Sequence, residues 1–367
     1  MYRRIVAKFG TSLLTAGSDR LDIEAMSRLV GQVVRLRAQG CEVVAVSSGA
    51  QAAGRHEAHR RLHSGHQPSR QAFASIGQHR LMQTWGMLFD AYDTVVAQVL
   101  LTRRDLSDRL GYLNARNTLR DLIESGTVPI VNENDAVALD QVLASRIGEN
   151  DSLSAYVANL IDADLLVILT DVDGLYDSDP NTNPSATLLS RVDRIDDVMA
   201  GAAGARGPGT GGMVTKLSAA RIATQGGVAV VVANGRRADI LEAIVSGQPN
   251  GTLFPAAGDR LEERKRWILG SISGTGHIVV DGGAVAALRE RGRSLLPAGV
   301  AQIAGTFVRG ESVEVRDVTG ARIAAGTTNY ASDELARIRG LRSDRIAETL
   351  GYAYGDEVIH RDNMVLL

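Results

Sequence analysis

Up to about residue 255 the chain alternates short apolar runs with longer amphipathic stretches, and this alternation limits its fold more than any other feature. The apolar runs fall at 4–9, 42–47, 95–100, 128–131, 165–170 and 228–233, and residues 23–38, 115–125 and 152–160 between them read as helices. Strand-like runs separated by helical stretches predict an α/β fold, a three-layer α/β/α sandwich with a mainly parallel central sheet. Several runs end in small or polar residues, and ligands of open α/β sheets gather at the carboxyl ends of the strands. A linker candidate occupies 248–258, where Pro249, Gly251 and Gly258 cluster. After about residue 270 the texture changes. Short strand-like pieces at 278–280, 312–316 and 322–325, with one small helix at 284–291, predict a small β-rich barrel. A length of 367 residues also favours more than one core. The expected division is 1–258, a linker 259–274, and 275–367 with its tail.

Composition removes several function classes. The net charge of −2 gives no general attraction to nucleic acid or anionic membrane, and residues 275–367 hold 11 Arg against 12 Asp and Glu. The single cysteine, Cys41, forms no internal disulfide and suits a reducing compartment. No run approaches the ~20 apolar residues of a membrane-spanning helix, and the first strand carries Arg3, Arg4 and Lys8, unlike a signal peptide. A cytoplasmic protein without a membrane partner is expected.

Only three of the 40 basic residues are lysines, and two of them border glycine-containing turns. Lys8 precedes Phe9-Gly10-Thr11-Ser12, and Lys216 ends the stretch 207–216, GPGTGGMVTK. A compact ammonium reaches between phosphate oxygens where the broader planar guanidinium does not substitute cleanly. Glycines 207, 209 and 212 satisfy a dinucleotide-binding spacing, but neither a strand before the loop nor a ribose-binding acid beyond it is present. A Walker A loop fails as well, because Leu217 stands where Ser or Thr is needed. What remains is either an anion-binding loop whose N–H groups and following helix end face one ligand, or a flexible glycine connection.

Four further stretches offer chemistry. Ser47-Ser48-Gly49-Ala50 joins a buried strand to a helix, as an anion-binding turn or as a simple helix cap. Asn132-Glu133-Asn134-Asp135 and Glu149-Asn150-Asp151 supply acids for an α-ammonium and amides for a carboxylate, although turns and an N-cap use the same residues. Thr170-Asp171-Val172-Asp173-Gly174 lacks the spacing of a calcium loop and fits a nucleotide-side or turn role. His56, His59, His63 and His66 share a short stretch with Arg55, Arg60, Arg61 and Arg70, and a solvated, mobile face accounts for them better than a metal site.

Taken in order, Lys8–Ser12, 48–50, 98–102, 132–135, 148–151, Thr170-Asp171 and 209–216, followed by 294–297, 305–310 and Asn329-Tyr330, closely resemble the amino-acid kinase family. The likeness is to its glutamate-phosphorylating branch with a C-terminal PUA domain, and it spans nearly the whole chain. It implies ATP-dependent phosphorylation of the γ-carboxylate of L-glutamate, the first step toward proline. It implies a glutamate site of Ser48, Gly49, Ala50, Asn132, Asp135 and Asn150. Nucleotide contacts are implied for Gly10, Thr170, Asp171, Thr210, Gly211, Gly212, Met213, Val214, Thr215 and Lys216. Lys8 and Lys216 would stabilise the transferring phosphoryl group, with Asp151 orienting them. Mg²⁺ would travel with ATP and not in a protein cage. Proline is the implied feedback inhibitor and a homo-oligomer, dimer or tetramer, the implied assembly. Gln51, where relatives more often carry an apolar residue, and the stretch 55–70 depart from the pattern. Two other readings stand beside this one. The first is a relative acting on aspartate, acetylglutamate, carbamate or uridylate. The second is an RNA-binding PUA protein, which the charge balance of 275–367 argues against.

Overall fold

The computed structural model describes residues 2–61, 68–138, 149–178, 180, 182–195, 212–257 and 272–367. Gly148, Gly207, Gly209, Thr210, Gly211, His63, His66, Lys265 and the linker residues 259–271 lie outside them. Contacts divide the chain into one unit of Met1–Ser107 with Asn114–Arg260 and another of Asp108–Leu113 with Leu261–Leu367. No described helix is long and apolar enough to cross a membrane.

Through residue 257 the elements run β1 (Arg4–Phe9), α1 (Thr11–Thr15), α2 (Ile23–Ala38), β2 (Glu42–Ser47), α3 (Ala50–Arg61), α4 (Arg70–Asp90), β3 (Val96–Leu101), α5 (Arg103–Ser107), α6 (Arg109–Glu124), β4 (Val128–Glu133), α7 (Glu149–Leu160), β5 (Leu165–Thr170), α8 (Met213–Gln225), β6 (Ala229–Asn234), α9 (Ile240–Val245) and β7 (Thr252–Phe254). The strands form one sheet in the order β3-β4-β2-β1-β5-β6-β7. Every pair is parallel except β6 with β7. β5 is buried at every position and β1 at all but its first, as expected for central strands of a sheet covered on both faces. The chain leaves β1 toward β2, β4 and β3 on one side and returns to β5 on the other. The carboxyl ends of β1, β2 and β5 therefore flank the point where strand order reverses, where a crevice opens in such sheets.

One feature of this sheet departs from the sequence expectation. The linker candidate 248–258 contains β7, an antiparallel edge strand. Phe254 is fully buried, and Thr252 Oγ1 accepts from Leu175 N at 2.8 Å and donates to the Leu189 carbonyl at 2.6 Å. Flanking Pro and Gly disguise a strand only three residues long. Of the stretch read as a solvated, mobile face, the residues through Arg61 belong to α3, with His59 and Arg60 exposed, His56 half-buried and Ala58 buried, and 62–67 lie outside the described residues. Arg55 is held by Asp19 and Glu57 by Arg80.

Helices α3 and α4 touch backbone to backbone. A methyl group at Gly54 would collide with the Phe73 carbonyl, and one at Gly77 with the Ala50 carbonyl. Neither glycine has a left-handed φ, so close approach and not conformation requires them.

In the second unit β8 (Ile272–Val280) begins inside the stretch expected as linker. It is followed by α10 (Gly282–Arg291), β9 (Val300–Gly305), β10 (Ser312–Asp317), β11 (Arg322–Thr327), α11 (Ser332–Ile338), α12 (Ile346–Leu350) and β12 (Met364–Leu366). The sheet order is β12-β11-β10-β8-β9, with only β8 and β10 parallel. Ile278, Val280, Val313, Val315, Ile323 and Tyr330 form the centre of its core.

The helix crossing gives a stability test. Gly54→Ala and Gly77→Ala are each expected to cost about 1–3 kcal/mol, because rigid backbone must move to admit the methyl. Gly86→Ala, on the same α4 with open space around it, is expected to be neutral or to stabilise by up to ~1 kcal/mol. Urea midpoints of the three variants measure the contrast.

Candidate active site

Lys8 lies near the carboxyl end of β1, where its side chain is 8% exposed, and its Nζ stands 2.6 Å from Asp151 Oδ1. Asp151, in the first turn of α7, is 1% exposed. Its other oxygen, Oδ2, accepts from Thr215 Oγ1 at 2.6 Å and lies 3.6 Å from Lys216 Nζ. Lys216 is also buried and sits in the first turn of α8. Residues 8, 151 and 216, remote in sequence, thus meet around one carboxylate.

The electrostatics follow from burial and pairing. Burial alone would raise the Asp151 carboxyl. The Lys8 and Lys216 charges, with hydrogen bonds from Lys8 and Thr215, outweigh it and hold the group below its ordinary value. Burial pushes the Lys216 ammonium down. Asp151 partly opposes this, the Lys8 charge adds to it, and Asp171 contributes a smaller opposing pull. Two ammoniums against one carboxylate leave a single positive charge in excess.

Backbone geometry around the pair is open to an anion. Gly10 N donates to the Leu169 carbonyl at 3.3 Å, and a Cβ at Gly10 would crowd that oxygen while lying 3.7 Å from Lys8 Nζ. Gly212, the N-cap of α8, has no side chain to hydrogen-bond the first N–H groups of Met213 and Val214. A helix N-terminus beside two ammoniums suits phosphate oxygens. Thr210 and Gly211 fall outside the described residues. Thr170, at the end of β5, donates through Oγ1 to Asp171 Oδ1 at 3.1 Å, and its carbonyl accepts from Gly235 N at 2.9 Å.

A second group of side chains borders the first, because Asn150 immediately precedes Asp151. Asn150 Nδ2 faces Ser48 Oγ at 3.0 Å, Asn132 Oδ1 at 3.0 Å and the Ser47 carbonyl at 3.4 Å. Ser48 N donates to the Phe9 carbonyl at 3.1 Å, and Ser47 Oγ accepts from the buried Trp85 indole at 3.0 Å. Gly49 has φ of +102° with Leu14 and Leu21 at its side, which keeps the turn into Ala50 free of a side chain. Asp135 is half-buried, with Gln51 Nε2 at 3.5 Å from its Oδ1, so Gln51 reaches the acid expected to hold an ammonium.

The geometry refines one expectation and adds one residue. Amides were expected to donate to a substrate carboxylate, yet the Asn150 donor already faces protein acceptors, and its buried Oδ1 has no hydrogen-bond partner among the described residues. What Asn150 has to offer is an acceptor. Gln78, on α4, was not singled out from the sequence, and its Oε1 accepts from Asn132 Nδ2 at 2.7 Å. The only local signal was its place directly after Gly77. No group of three or more His, Cys, Asp or Glu side chains able to hold a metal occurs among the described residues.

The amino acid kinase family model matches residues 3–234, and a PUA domain model matches 276–350. A protein of Herpetosiphon aurantiacus named glutamate 5-kinase is 50% identical over 370 residues, covering 100% of this chain and 98% of its own. Proteins of the same name from Dehalococcoides mccartyi and Shewanella oneidensis are 48% and 46% identical, again over 100% of this chain and over 99% and 98% of theirs.

The buried carboxylate gives a stability test. Asp151→Asn leaves two buried like charges without their counterion and is expected to cost about 3–5 kcal/mol. The folded carboxyl is depressed, so its contribution is complete above the unfolded value and is lost as pH falls through the folded one. The gap between wild type and variant should stay level from neutral pH to about pH 4 and narrow below it. Denaturant unfolding across that range measures it.

Proposed function

The chain belongs to the amino acid kinase family, and from that premise we propose that it transfers the γ-phosphoryl group of ATP to the γ-carboxylate of L-glutamate, the first step of proline biosynthesis. The observation that carries the reading is the Lys8–Asp151–Lys216 cluster at the carboxyl ends of the strands. The near-full-length likeness to glutamate 5-kinases supports glutamate as the acceptor. We place the catalytic domain at 1–258 and the PUA domain at 275–367.

A carboxylate acceptor is ionised at neutral pH and needs no general base. What opposes the reaction is repulsion between two anions and the charge on the phosphoryl oxygens. In this reading Lys8 and Lys216 lie against those oxygens, Met213 and Val214 at the start of α8 donate N–H groups, and Asp151 fixes both ammoniums without itself taking a proton. Thr170, Asp171, Thr210 and Gly211 serve the nucleotide, and Gly10 leaves room for its phosphates. Ser48, Gly49, Ala50, Asn132, Asp135 and Asn150 hold glutamate, with Asp135 and Asn150 Oδ1 taking the α-ammonium. Mg²⁺, bound to ATP phosphates, would add further charge neutralisation.

Proline shares the α-carboxylate and amino group of glutamate and is the inhibitor we expect at this site. We also expect a dimer or tetramer in the cytoplasm, where the buried, unpaired Cys41 stays reduced. The near balance of acid and arginine in 275–367 gives the PUA domain no electrostatic footprint for RNA.

The deciding assay is glutamate-dependent ADP formation with hydroxylamine trapping the acyl phosphate, run beside aspartate, acetylglutamate, carbamate and uridylate. ADP release with aspartate but not glutamate would overturn the reading. Lys216→Ala is expected to lower kcat by about 10²–10³-fold or more with little change in glutamate KM. Asp135→Ala should instead raise that KM by about tenfold or more. Near-normal turnover in Lys216→Ala would remove the phosphoryl clamp.

A pH profile tests the clamp separately. Because the Lys216 value is lowered, its charge is lost on the alkaline side before that of an ordinary lysine at 10.5. kcat/KM for ATP, which reports the free enzyme, should therefore fall with rising pH at values below 10.5, and a kcat/KM profile flat to that point would contradict the role.

A further inference from the structure

We propose that Gln78 is a positioning residue for the amino-acid end of the site, setting through Asn132 which atom of Asn150 meets the substrate. The proposal rests on the glutamate reading above and deepens it.

The direction of the amide chain is decided by a group that only donates. The Glu133 backbone N–H lies 2.9 Å from one terminal atom of the Asn132 side chain, so that atom is the oxygen. The other is then nitrogen, and the Gln78 atom facing it at 2.7 Å must be Oε1. Asn150 presents nitrogen to Asn132 Oδ1 at 3.0 Å, an orientation that the carbonyl of Ser47 also requires. Among the described residues the chain therefore leaves one buried acceptor without a partner, Asn150 Oδ1, and at its far end one buried donor, Gln78 Nε2. A buried acceptor without a partner selects a ligand that brings a donor, and the α-ammonium of an amino acid is such a donor.

Gln78 reaches this chain because α3 and α4 are in backbone contact at Gly54 and Gly77. Gly77, next to Gln78, presses on the carbonyl of Ala50, the first residue after the Ser48-Gly49 turn. The crossing thus seats the Gln78 side chain against the end of β4. Without its Oε1, Asn132 Nδ2 becomes a buried donor with no acceptor, and the side chain gains by turning away, taking Oδ1 from Asn150.

The test uses the full-length protein and two variants. Gln78→Met matches the side chain in length and shape but accepts nothing. Gln78→Glu keeps an oxygen for Asn132 Nδ2. Gln78→Met is expected to raise glutamate KM about tenfold while kcat and ATP KM stay within about twofold. It should also narrow the preference in kcat/KM for glutamate over glutarate, which lacks the ammonium. Gln78→Glu should restore glutamate KM to within about threefold of wild type. In the Asn150→Ala background Gln78→Met should add little further, since residues acting through one another are not additive.

A folded Gln78→Met variant with wild-type glutamate KM, or KM effects that multiply in the double variant, would overturn the proposal. If thermal melts show that Gln78→Met does not fold, Gln78→Glu decides: a tenfold rise in its glutamate KM overturns the proposal, and a near-normal KM supports it. Failure of the wild type to turn over glutamate would instead sink the substrate reading itself.

Discussion

The buried Asp151 carboxylate is the contact on which the rest of the site depends. Lys8 and Lys216 come from elements with no local reason to approach one another, and as two buried ammoniums they would repel. A single carboxylate between them, in the first turn of α7 where the helix dipole favours a negative charge, makes their proximity tolerable. Its two oxygens are used separately, Oδ1 by Lys8 and Oδ2 by Lys216 and Thr215. The cluster therefore ties β1, α7 and α8 together and still keeps one positive charge in excess. A fully neutralised pair would hold the helices equally well but would offer nothing to a phosphoryl group.

Much of this arrangement was legible in the sequence. The runs that became β1, β2 and β5 are continuous and apolar because central strands are buried on both faces, and their carboxyl ends carry Lys8, Ser48 and Thr170. Position in an α/β sheet then puts those residues near one crevice without any knowledge of side-chain contacts. The scarcity of lysine marked two of the three charged members of the cluster, and Asp151 came with its neighbours in the Glu149–Asp151 segment.

What was not legible depends on contacts between distant segments. β7 is too short to show a period, and its Thr252 is satisfied by Leu175 and Leu189 across a loop. The α3–α4 crossing rests on two glycines that look like helix weaknesses until the facing carbonyls are seen. Gln78 is one of many polar residues on a helix, and its meaning comes from Asn132, 54 positions away. The direction of the Asn150 amide could not be read at all, since a backbone N–H one residue beyond Asn132 sets it.

The state of Asp151 also narrows the chemistry of the acceptor. Phosphoryl transfer to a hydroxyl is commonly assisted by a carboxylate that takes the departing proton. Asp151 is held below its ordinary value between two ammoniums, with both oxygens engaged, and is a poor base near neutrality. Asp135, the other candidate acid on the acceptor side, already has Gln51 near one oxygen and stands in the segment proposed to grip the amino-acid end. A site so arranged suits an acceptor that arrives ionised, a carboxylate or a phosphate, better than one that must lose a proton on the way to the transition state. Between these two, the open acceptor on Asn150 distinguishes further. A phosphate brings more acceptors to an atom that needs a donor, whereas an amino acid brings an ammonium and a carboxylate nucleophile in the same molecule.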